Sequence, residues 1–146
     1  MTAPDPIPVA LVGFGYAGET FHAPLIAACP GLRLHTVVSS RPEQVRERWP
    51  QVRVVADLDE ALADVGVELV VIAAPNAEHA PLARRALNAG RAVVVDKPFT
   101  LPLAEAKALA QLGETRGRLL SVFHNRRWDA DFLTLQGLIE ANRLGR

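Results

Sequence analysis

Short apolar runs rich in β-branched residues alternate along the chain with longer stretches in which apolar residues recur at helical spacing. The run at 69–72, Leu-Val-Val-Ile, is continuously apolar, which is typical of a strand covered on both faces of a parallel sheet. We predict strands at residues 7–12, 32–38, 52–56, 68–73, 91–95 and 119–123. We predict helices at residues 17–29, 42–49, 57–64, 78–89, 102–116 and 129–143.

The regular alternation of strands and helices predicts the fold class. Short connections indicate right-handed crossovers, and so an α/β fold in which a doubly wound parallel sheet lies between two layers of helices. A length of 146 residues suits one domain, and the chain contains no internal repeat or linker, so we assign residues 1–146 to one domain. Cys29 falls in a predicted helix on the side facing the sheet, and we expect it in the core.

Composition and charge argue against several classes of function. Hydrophobic residues make up 49% of the chain, too many for an intrinsically disordered protein. Sixteen basic and sixteen acidic side chains cancel, which argues against nucleic acid or an anionic membrane as a partner. One cysteine and four scattered histidines give no metal-ligand spacing, so we expect no metal site. No apolar run approaches the ~18 residues of a membrane span and no targeting segment is evident, so we expect a cytoplasmic protein.

A glycine-rich motif lies where the first predicted strand meets the first predicted helix. It reads Gly13-Phe14-Gly15-Tyr16-Ala17-Gly18, which has the form G-x-G-x-x-G. In the dinucleotide-binding arrangement Gly13 permits a tight turn, Gly15 lets the backbone approach a pyrophosphate, and Gly18 lets the helix pack against the strand. The N–H groups of the helix N-terminus also attract the anion. We expect these six residues to bind a dinucleotide; a ligand-free turn, S-adenosylmethionine and a flavin are alternatives that the motif leaves open.

The end of the second predicted strand bears on the choice between NAD and NADP. An Asp or Glu about 20 residues after the glycine motif would hydrogen-bond the ribose hydroxyls of NAD. The chain instead reads Ser39-Ser40-Arg41, with no carboxylate before Glu43. Arginine pairs bidentately with phosphate and serine donates further hydrogen bonds, so these residues fit the 2′-phosphate of NADP. We expect NADP in preference to NAD, although the same residues also suit a turn and a helix cap before Pro42.

Two further motifs follow the fourth and fifth predicted strands. They are Ala74-Pro75-Asn76 with His79, and Asp96-Lys97-Pro98. The carboxyl ends of parallel strands form the ligand-binding edge of an open α/β sheet. Lys97 is one of only two lysines among the sixteen basic residues, and a lysine can exchange a proton whereas an arginine stays charged. Lys97 is therefore a candidate for proton transfer or for contact with a substrate oxygen.

In this order the motifs resemble the N-terminal half of the glucose-fructose oxidoreductase / inositol dehydrogenase / MocA family. The resemblance spans nearly the whole chain and rests on the glycine motif, the two motifs above and Ala89-Gly90-Arg91. The segment 124–129, His-Asn-Arg-Arg-Trp-Asp, is similar to one found in the branch that includes scyllo-inositol dehydrogenase-like enzymes. The resemblance implies a Rossmann dinucleotide-binding domain and hydride transfer between NAD(P) and the hydroxyl-bearing carbon of a sugar or cyclitol.

The resemblance also implies roles for individual residues. The family's Glu-Lys-Pro matches Asp96-Lys97-Pro98, which implies that Lys97 is catalytic, near the nicotinamide and the reacting oxygen, with aspartate in place of the usual glutamate. Two groups would contact the cofactor: Ala74, Pro75, Asn76 and His79 along its length, and Asn125 with Arg126 near the nicotinamide end. For His79, a bond to a nearby backbone group at the start of a helix is an equal alternative.

Members of this family have a second domain that binds substrate and contributes a histidine, commonly as Asp-x-x-x-His. The residues four places before the four histidines are Gly18, Gly31, Pro75 and Leu120, so the motif is absent. We expect the chain to be the cofactor domain without the substrate domain, inactive or weakly active by itself. The last predicted helix carries apolar residues at helical spacing, through which we expect homo-oligomers to form: Phe132, Leu135, Leu138 and Ile139.

Other functions compete with this interpretation. A non-catalytic dinucleotide-binding module, which senses redox state or scaffolds a partner, would share every cofactor motif. A methyltransferase gives no role to the motifs after the fourth and fifth strands. A short-chain dehydrogenase needs Tyr-x-x-x-Lys, and the single tyrosine, Tyr16, is followed four places later by Thr20. We therefore expect an oxidoreductase domain that serves a small polyol or sugar substrate, with the binding module as the alternative.

Overall fold

Strands and helices alternate along the chain as the apolar pattern predicts. The computed structural model describes residues 4–145. The strands are β1 (Ile7–Val12), β2 (Leu32–Val38), β3 (Arg53–Val55), β4 (Leu69–Ile72), β5 (Ala92–Asp96) and β6 (Leu120–Phe123). The helices are α1 (Ala23–Ala28), α2 (Pro42–Arg48), α3 (Leu58–Leu62), α4 (His79–Asn88), α5 (Leu103–Arg116) and α6 (Ala130–Glu140), with a π-helical turn, Gly18–His22, directly before α1. Among the described residues, no helix is long and apolar enough to cross a membrane.

The six strands of residues 4–145 are all parallel and lie in the order β3-β2-β1-β4-β5-β6. The chain moves outward from β1 through β2 to β3 and then crosses back to β4, on the other side of β1. This reversal is the topological switch point of a doubly wound sheet, and the predicted fold class is confirmed. Ligands of such sheets bind beside the switch point, which here lies at the carboxyl ends of β1 and β4.

The two faces of the sheet carry separate cores. In β1, Val9 and Leu11 pack on the side of α1 and α2, whereas Ala10 and Val12 pack on the side of α3, α4 and α5. The same alternation runs through β4, which is buried along its whole length. Burial of each such valine or leucine stabilises the fold by roughly 1.5–3 kcal/mol. Burial on both faces is thus the reason for the continuously apolar run in the sequence.

The structure corrects two details of the sequence analysis. Cys29 is exposed and not in the core, because the helix ends at Ala28 and the backbone of Cys29 is already extended, with φ −85° and ψ 115°. The last helix ends at Glu140, three residues before its predicted end, and Asn142 takes a left-handed conformation with φ 53°. No side chain of α6 is buried, so its apolar residues lie on the surface.

Candidate functional site

The fold brings the predicted site segments to one edge of the sheet. Each segment lies at the carboxyl end of a strand or within two residues of it: the glycine motif at β1, Ser39-Ser40-Arg41 at β2, Ala74-Pro75-Asn76 at β4, Asp96-Lys97-Pro98 at β5 and Asn125-Arg126 at β6. This edge includes the switch point between β1 and β4. Segments that are up to 113 residues apart in the sequence are therefore neighbours in space, since the glycine motif begins at Gly13 and Arg126 is the last residue of the set.

The three glycines of the motif meet different constraints. Gly13 has φ +95°, and a Cβ placed on it would overlap the carbonyl oxygen of Ala73. A Cβ on Gly18 would overlap the carbonyl oxygen of Gly13, so the turn and the helix approach each other closely there. A Cβ on Gly15 would meet no atom within 4 Å. Gly13 and Gly18 therefore agree with the tight turn and close packing expected of them, while the backbone at Gly15 borders open space of the kind that a pyrophosphate needs.

A cleft of about 570 Å³ lies beside the glycine motif, and we call it the glycine-loop cleft. Its walls are the turn after β1, the turn after β2 and the turn after β4, which contribute Gly13–Ala17, Ser39–Arg41 and Ala73–Pro75. No Asp or Glu is among the lining residues in the described part of the chain. The electrostatic character of this cleft is therefore set by Arg41 and by backbone N–H groups, which favour an anionic ligand.

The side chain of Arg41 is hydrogen-bonded to the backbone of the glycine motif. Its Nη2 donates a hydrogen bond of 3.0 Å to the carbonyl oxygen of Phe14. Its backbone N–H donates to Oγ of Ser39 at 3.0 Å, which closes the turn after β2. A guanidinium has five N–H donors in a fixed plane, so the bond to Phe14 leaves others to face the cleft. The arrangement fixes one positive charge at the side of the cleft opposite the β4 turn.

A second cleft, of about 800 Å³, lies around Lys97, and we call it the Lys97 cleft. Its lining combines aromatic, polar and charged side chains from the glycine motif, the following helix and the turns after β5 and β6: Tyr16, Ala17, Phe21, Asp96, Lys97, Phe123, His124, Asn125, Arg126 and Arg127. Tyr16 and Ala17 line both clefts. The two clefts therefore adjoin at the glycine motif and together form a continuous surface for an extended ligand.

Asp96, the last residue of β5, fixes the backbone next to Lys97. Its side chain is largely buried, with 13% of its surface exposed, and Oδ1 accepts a hydrogen bond of 2.7 Å from the backbone N–H of Lys97. Oδ2 lies 3.7 Å from Nε2 of His22, which is longer than a hydrogen bond. His22 is itself buried beside the ring of Phe123, with the ring centroids 4.6 Å apart. Burial lowers the pKa of His22 below its usual 6.5, and the nearby charge of Asp96 opposes part of that effect.

His22 was not among the residues that the sequence analysis singled out. It lies four residues after Gly18 and four before Ile26, and both of these are buried. Spacing by four places all three on the side of the helix that faces the sheet. That spacing was the signal that could have found a buried polar residue next to the site.

The remaining predicted residues divide between the clefts and their supports. Asn125 and Arg126 line the Lys97 cleft, and Nη1 of Arg126 pairs with Oδ2 of Asp129 at 2.8 Å. Asn76 is exposed and lies beyond the residues that line either cleft. His79 is buried behind the clefts and contacts backbone carbonyl groups of two turns.

Comparison with known proteins agrees with this geometry. The profile of the GFO_IDH_MocA family, described as an oxidoreductase family with an NAD-binding Rossmann fold, matches residues 7–124. The oxidoreductase YdgJ of Escherichia coli is 52% identical to this chain, over 97% of the chain and 41% of its own length. The scyllo-inositol 2-dehydrogenase (NADP(+)) IolW of Bacillus subtilis is 37% identical, over 96% of the chain and 39% of its own length.

The fold is also similar to that of a solved structure. GenD2 from gentamicin A biosynthesis, in complex with NAD, matches with a TM-score of 0.88 at 34% identity, over 98% of this chain and 41% of the other. The chain thus spans about 40% of the length of the relatives it matches. It belongs to the glucose-fructose oxidoreductase / inositol dehydrogenase / MocA family of oxidoreductases, in which it corresponds to the NAD-binding Rossmann domain.

Proposed function

We propose that this chain holds the dinucleotide for an NADP-preferring oxidoreductase that transfers hydride between the nicotinamide and the hydroxyl-bearing carbon of a sugar or cyclitol. The observation that carries the proposal is the position of Arg41 in a cleft whose described lining has no carboxylate. An NAD site would place a carboxylate there to bond the ribose hydroxyls, whereas a 2′-phosphate suits a guanidinium and two serine hydroxyls. The name of IolW specifies NADP(+), which supports the same choice.

The residues at the site fit this ligand along its length. Gly15 and the N–H groups at the start of the helix would hold the pyrophosphate, and Ser39, Ser40 and Arg41 would hold the adenosine ribose with its 2′-phosphate. Towards the nicotinamide end the fit continues with Ala74 and Pro75 and then with Asn125 and Arg126. When bound, the nicotinamide supplies the acceptor or donor of the hydride.

In this proposal Lys97 acts on the substrate oxygen. Lys97 lines the Lys97 cleft next to Asp96, and the backbone at Lys97 is held by the hydrogen bond from its N–H to that carboxylate. As the carbon loses hydride, its hydroxyl must lose a proton, and an amine beside the oxygen can accept that proton or stabilise the developing negative charge. In the reverse direction the same group returns the proton.

We propose further that this chain turns over slowly or not at all without additional protein. Productive transfer requires the reacting atoms to be held within ~3–3.5 Å. The described residues form the floor of the Lys97 cleft from the glycine motif, β5 and β6, whereas the relatives are about two and a half times as long. Steady-state assays of NADP⁺ reduction with polyols test this. Tight cofactor binding without any turnover in a full-length relative carrying this domain would favour the non-catalytic binding module instead.

Calorimetric titration with NADPH and, separately, with NADH tests the cofactor assignment. We expect NADPH to bind more tightly than NADH. We expect Arg41→Ala to lower the affinity for NADPH by about 10-fold or more, as loss of a charged hydrogen bond does, and to lower the affinity for NADH less. Arg84→Ala is the matched control, since Arg84 is an exposed arginine on α4, away from both clefts. Equal losses of NADPH and NADH affinity in Arg41→Ala would contradict the 2′-phosphate assignment.

A further inference from the structure

His79, the first residue of α4, lies between two of the turns that form the site. The residue is 99% buried and lines neither cleft. Nδ1 lies 2.8 Å from the carbonyl oxygen of Pro98, in the turn after β5. Nε2 lies 3.0 Å from the carbonyl oxygen of Ala74, in the turn after β4. One imidazole ring therefore joins the turn that carries Lys97 to the turn that forms a wall of the glycine-loop cleft.

The two contacts determine which nitrogens of the His79 ring must donate hydrogen bonds. A carbonyl oxygen accepts hydrogen bonds and cannot donate them, so each contact requires hydrogen on its ring nitrogen. A neutral imidazole carries hydrogen on only one of the two nitrogens, so both bonds form together only with the imidazolium form. The shorter contact, to Pro98, assigns the hydrogen of a neutral ring to Nδ1. A buried polar group without a hydrogen-bond partner is costly, and here the ring nitrogens and the two carbonyl oxygens serve as partners for one another. The turn after β5 is also held on its other side, where Oδ1 of Asp96 accepts from the backbone N–H of Lys97. Lys97 thus lies between two fixed points of the backbone.

We propose that His79 is a positioning residue: its Nδ1–H bond to Pro98 sets the place of Lys97, and its Nε2 bond to Ala74 sets the wall of the glycine-loop cleft. His79 then governs how the two adjoining clefts align for one extended ligand, without touching that ligand. The ligand-binding part of this inference rests on the proposed function. The backbone part does not, because it concerns bonds within the protein alone.

Two substitutions separate the two bonds. In His79→Asn the amide nitrogen takes the place of Nδ1 and keeps a donor for Pro98, while the donor for Ala74 is lost. In His79→Gln the amide nitrogen reaches the place of Nε2 and keeps the donor for Ala74, while the donor for Pro98 is lost. Asparagine is also the smaller side chain and leaves the larger cavity in this buried position. A purely structural role therefore predicts that His79→Asn is the more damaging change throughout, whereas positioning predicts the opposite at Lys97.

The first readout is the backbone amide spectrum of the ligand-free chain. We expect the amide signals of Lys97 and Phe99 to shift and broaden in His79→Gln and to stay near their wild-type positions in His79→Asn. In the wild type we expect the nitrogen spectrum of the His79 ring to show hydrogen on Nδ1. Equal disturbance of Lys97 in both variants, greater disturbance in His79→Asn, or a ring without hydrogen on Nδ1 would overturn the proposal, and the last measurement needs no variant to fold.

The second readout compares NADP⁺ with 2′,5′-ADP, which occupies only the adenosine end of the proposed site. We expect His79→Gln to weaken NADP⁺ about fivefold, the effect of one lost hydrogen bond, and to leave 2′,5′-ADP within about twofold. We expect His79→Asn to weaken both ligands alike. A NADP⁺-to-2′,5′-ADP affinity ratio that is unchanged in His79→Gln would overturn the positioning of the clefts. If the wild-type chain binds neither ligand, the proposed function fails, and the amide spectra alone decide the role of His79.

Discussion

At the scale of single residues, the site depends as much on glycines, which have no side chain, as on the polar side chains that line it. Gly13, Gly15 and Gly18 share one motif, yet two of them are required by contacts within the protein and one borders empty space. Their consequences on substitution therefore differ. The fold tolerates a side chain only where the motif leaves room for a ligand.

Alanine at Gly15 and at Gly18 separates folding from binding. Gly18→Ala drives a Cβ into the carbonyl oxygen of Gly13, and we expect it to lower the free energy of unfolding by about 1–3 kcal/mol, as overpacking does. Gly15→Ala meets no protein atom, and we expect its stability to stay within about 0.5 kcal/mol of wild type while dinucleotide affinity falls. Urea unfolding and calorimetry on the same samples measure both quantities. Unchanged affinity in Gly15→Ala would show that the backbone there does not approach the ligand.

His22 gives the fold a pH dependence of defined sign. Its pKa in the folded chain is lowered by burial, so the unfolded chain binds its proton first as pH falls below the usual value of 6.5. The free energy of unfolding should therefore fall between pH 7 and pH 5, by at most about 1.4 kcal/mol per pH unit from this group. Glutamine does not titrate, so the free energy of unfolding of His22→Gln should fall less than that of the wild type over this range. Urea unfolding at pH 7, 6 and 5 measures the difference. Parallel losses in the two proteins would exclude His22 as the source.

At the scale of elements, the apolar pattern was enough to place every strand. Each predicted strand lies within one residue of an observed one, because both faces of the sheet are buried and the pattern reports burial. The ends of helices depend on backbone conformations that the pattern does not contain. Asn142 and Cys29 show this, since apolar spacing continued past the point where the backbone left the helix.

Within the site, too, some features could be predicted from the sequence and others could not. The segments that form it could be predicted, because each follows a strand and the carboxyl ends of parallel strands share an edge. The contacts of His22 with Asp96 and of His79 with Pro98 could not, because they join residues 74 and 19 positions apart. Such contacts depend on how helices lie on the sheet, which local sequence does not specify.

Asp64 ties the loop before β4 to two strands. Its Oδ2 lies 2.9 Å from Nε2 of His35 in β2 and 3.2 Å from Nη1 of Arg53 in β3, and Oδ1 accepts from the backbone N–H of Gly66. The bond with His35, and next the one with Gly66, lowers the pKa of Asp64 below its usual 3.8.

The corresponding stabilisation is therefore present above pH 3.8 and is lost as pH falls through the lower, folded-state pKa. We expect Asp64→Asn to reduce the free energy of unfolding at pH 7 by about 1 kcal/mol, as loss of a partly exposed charged hydrogen bond does. The difference from wild type should shrink in acid. Thermal unfolding of both proteins at pH 7 and pH 3 measures this, and a difference that persists unchanged at pH 3 would contradict it.

At the scale of the whole molecule, two adjoining clefts lie at the switch point of the sheet, and α6 lies outside the packed core. Family and fold could be predicted because the ordered motifs are all contained in this chain. Substrate identity could not, because the chain spans only about 40% of the length of the relatives that it matches. Five apolar residues of α6 are 38–59% exposed, and exposed apolar residues grouped on one helix favour contact with another protein surface: Phe132, Leu133, Leu135, Leu138 and Ile139.

We expect this surface to drive self-association of the chain. A double substitution, Leu135→Glu with Leu138→Glu, adds charge to α6 where no side chain is buried, so it should abolish association and leave the melting temperature nearly unchanged. Leu101→Glu is the control, a leucine outside α6 that is also exposed, at 65%. Sedimentation equilibrium over a range of concentrations measures the association. A wild-type chain that stays strictly monomeric at high concentration would contradict the expectation.

The hydrogen bond between Arg41 and the carbonyl oxygen of Phe14 limits how cofactor preference can change. An engineer who wishes to favour NAD would replace Arg41 with aspartate, but an ionised carboxylate cannot donate to that carbonyl oxygen, and the bond between the turn after β2 and the glycine loop would be lost. A new donor to the carbonyl oxygen of Phe14 would have to be introduced to restore that bond. A reversal of preference in this chain therefore calls for paired substitutions, and relatives that differ at position 41 are expected to differ in the glycine loop as well.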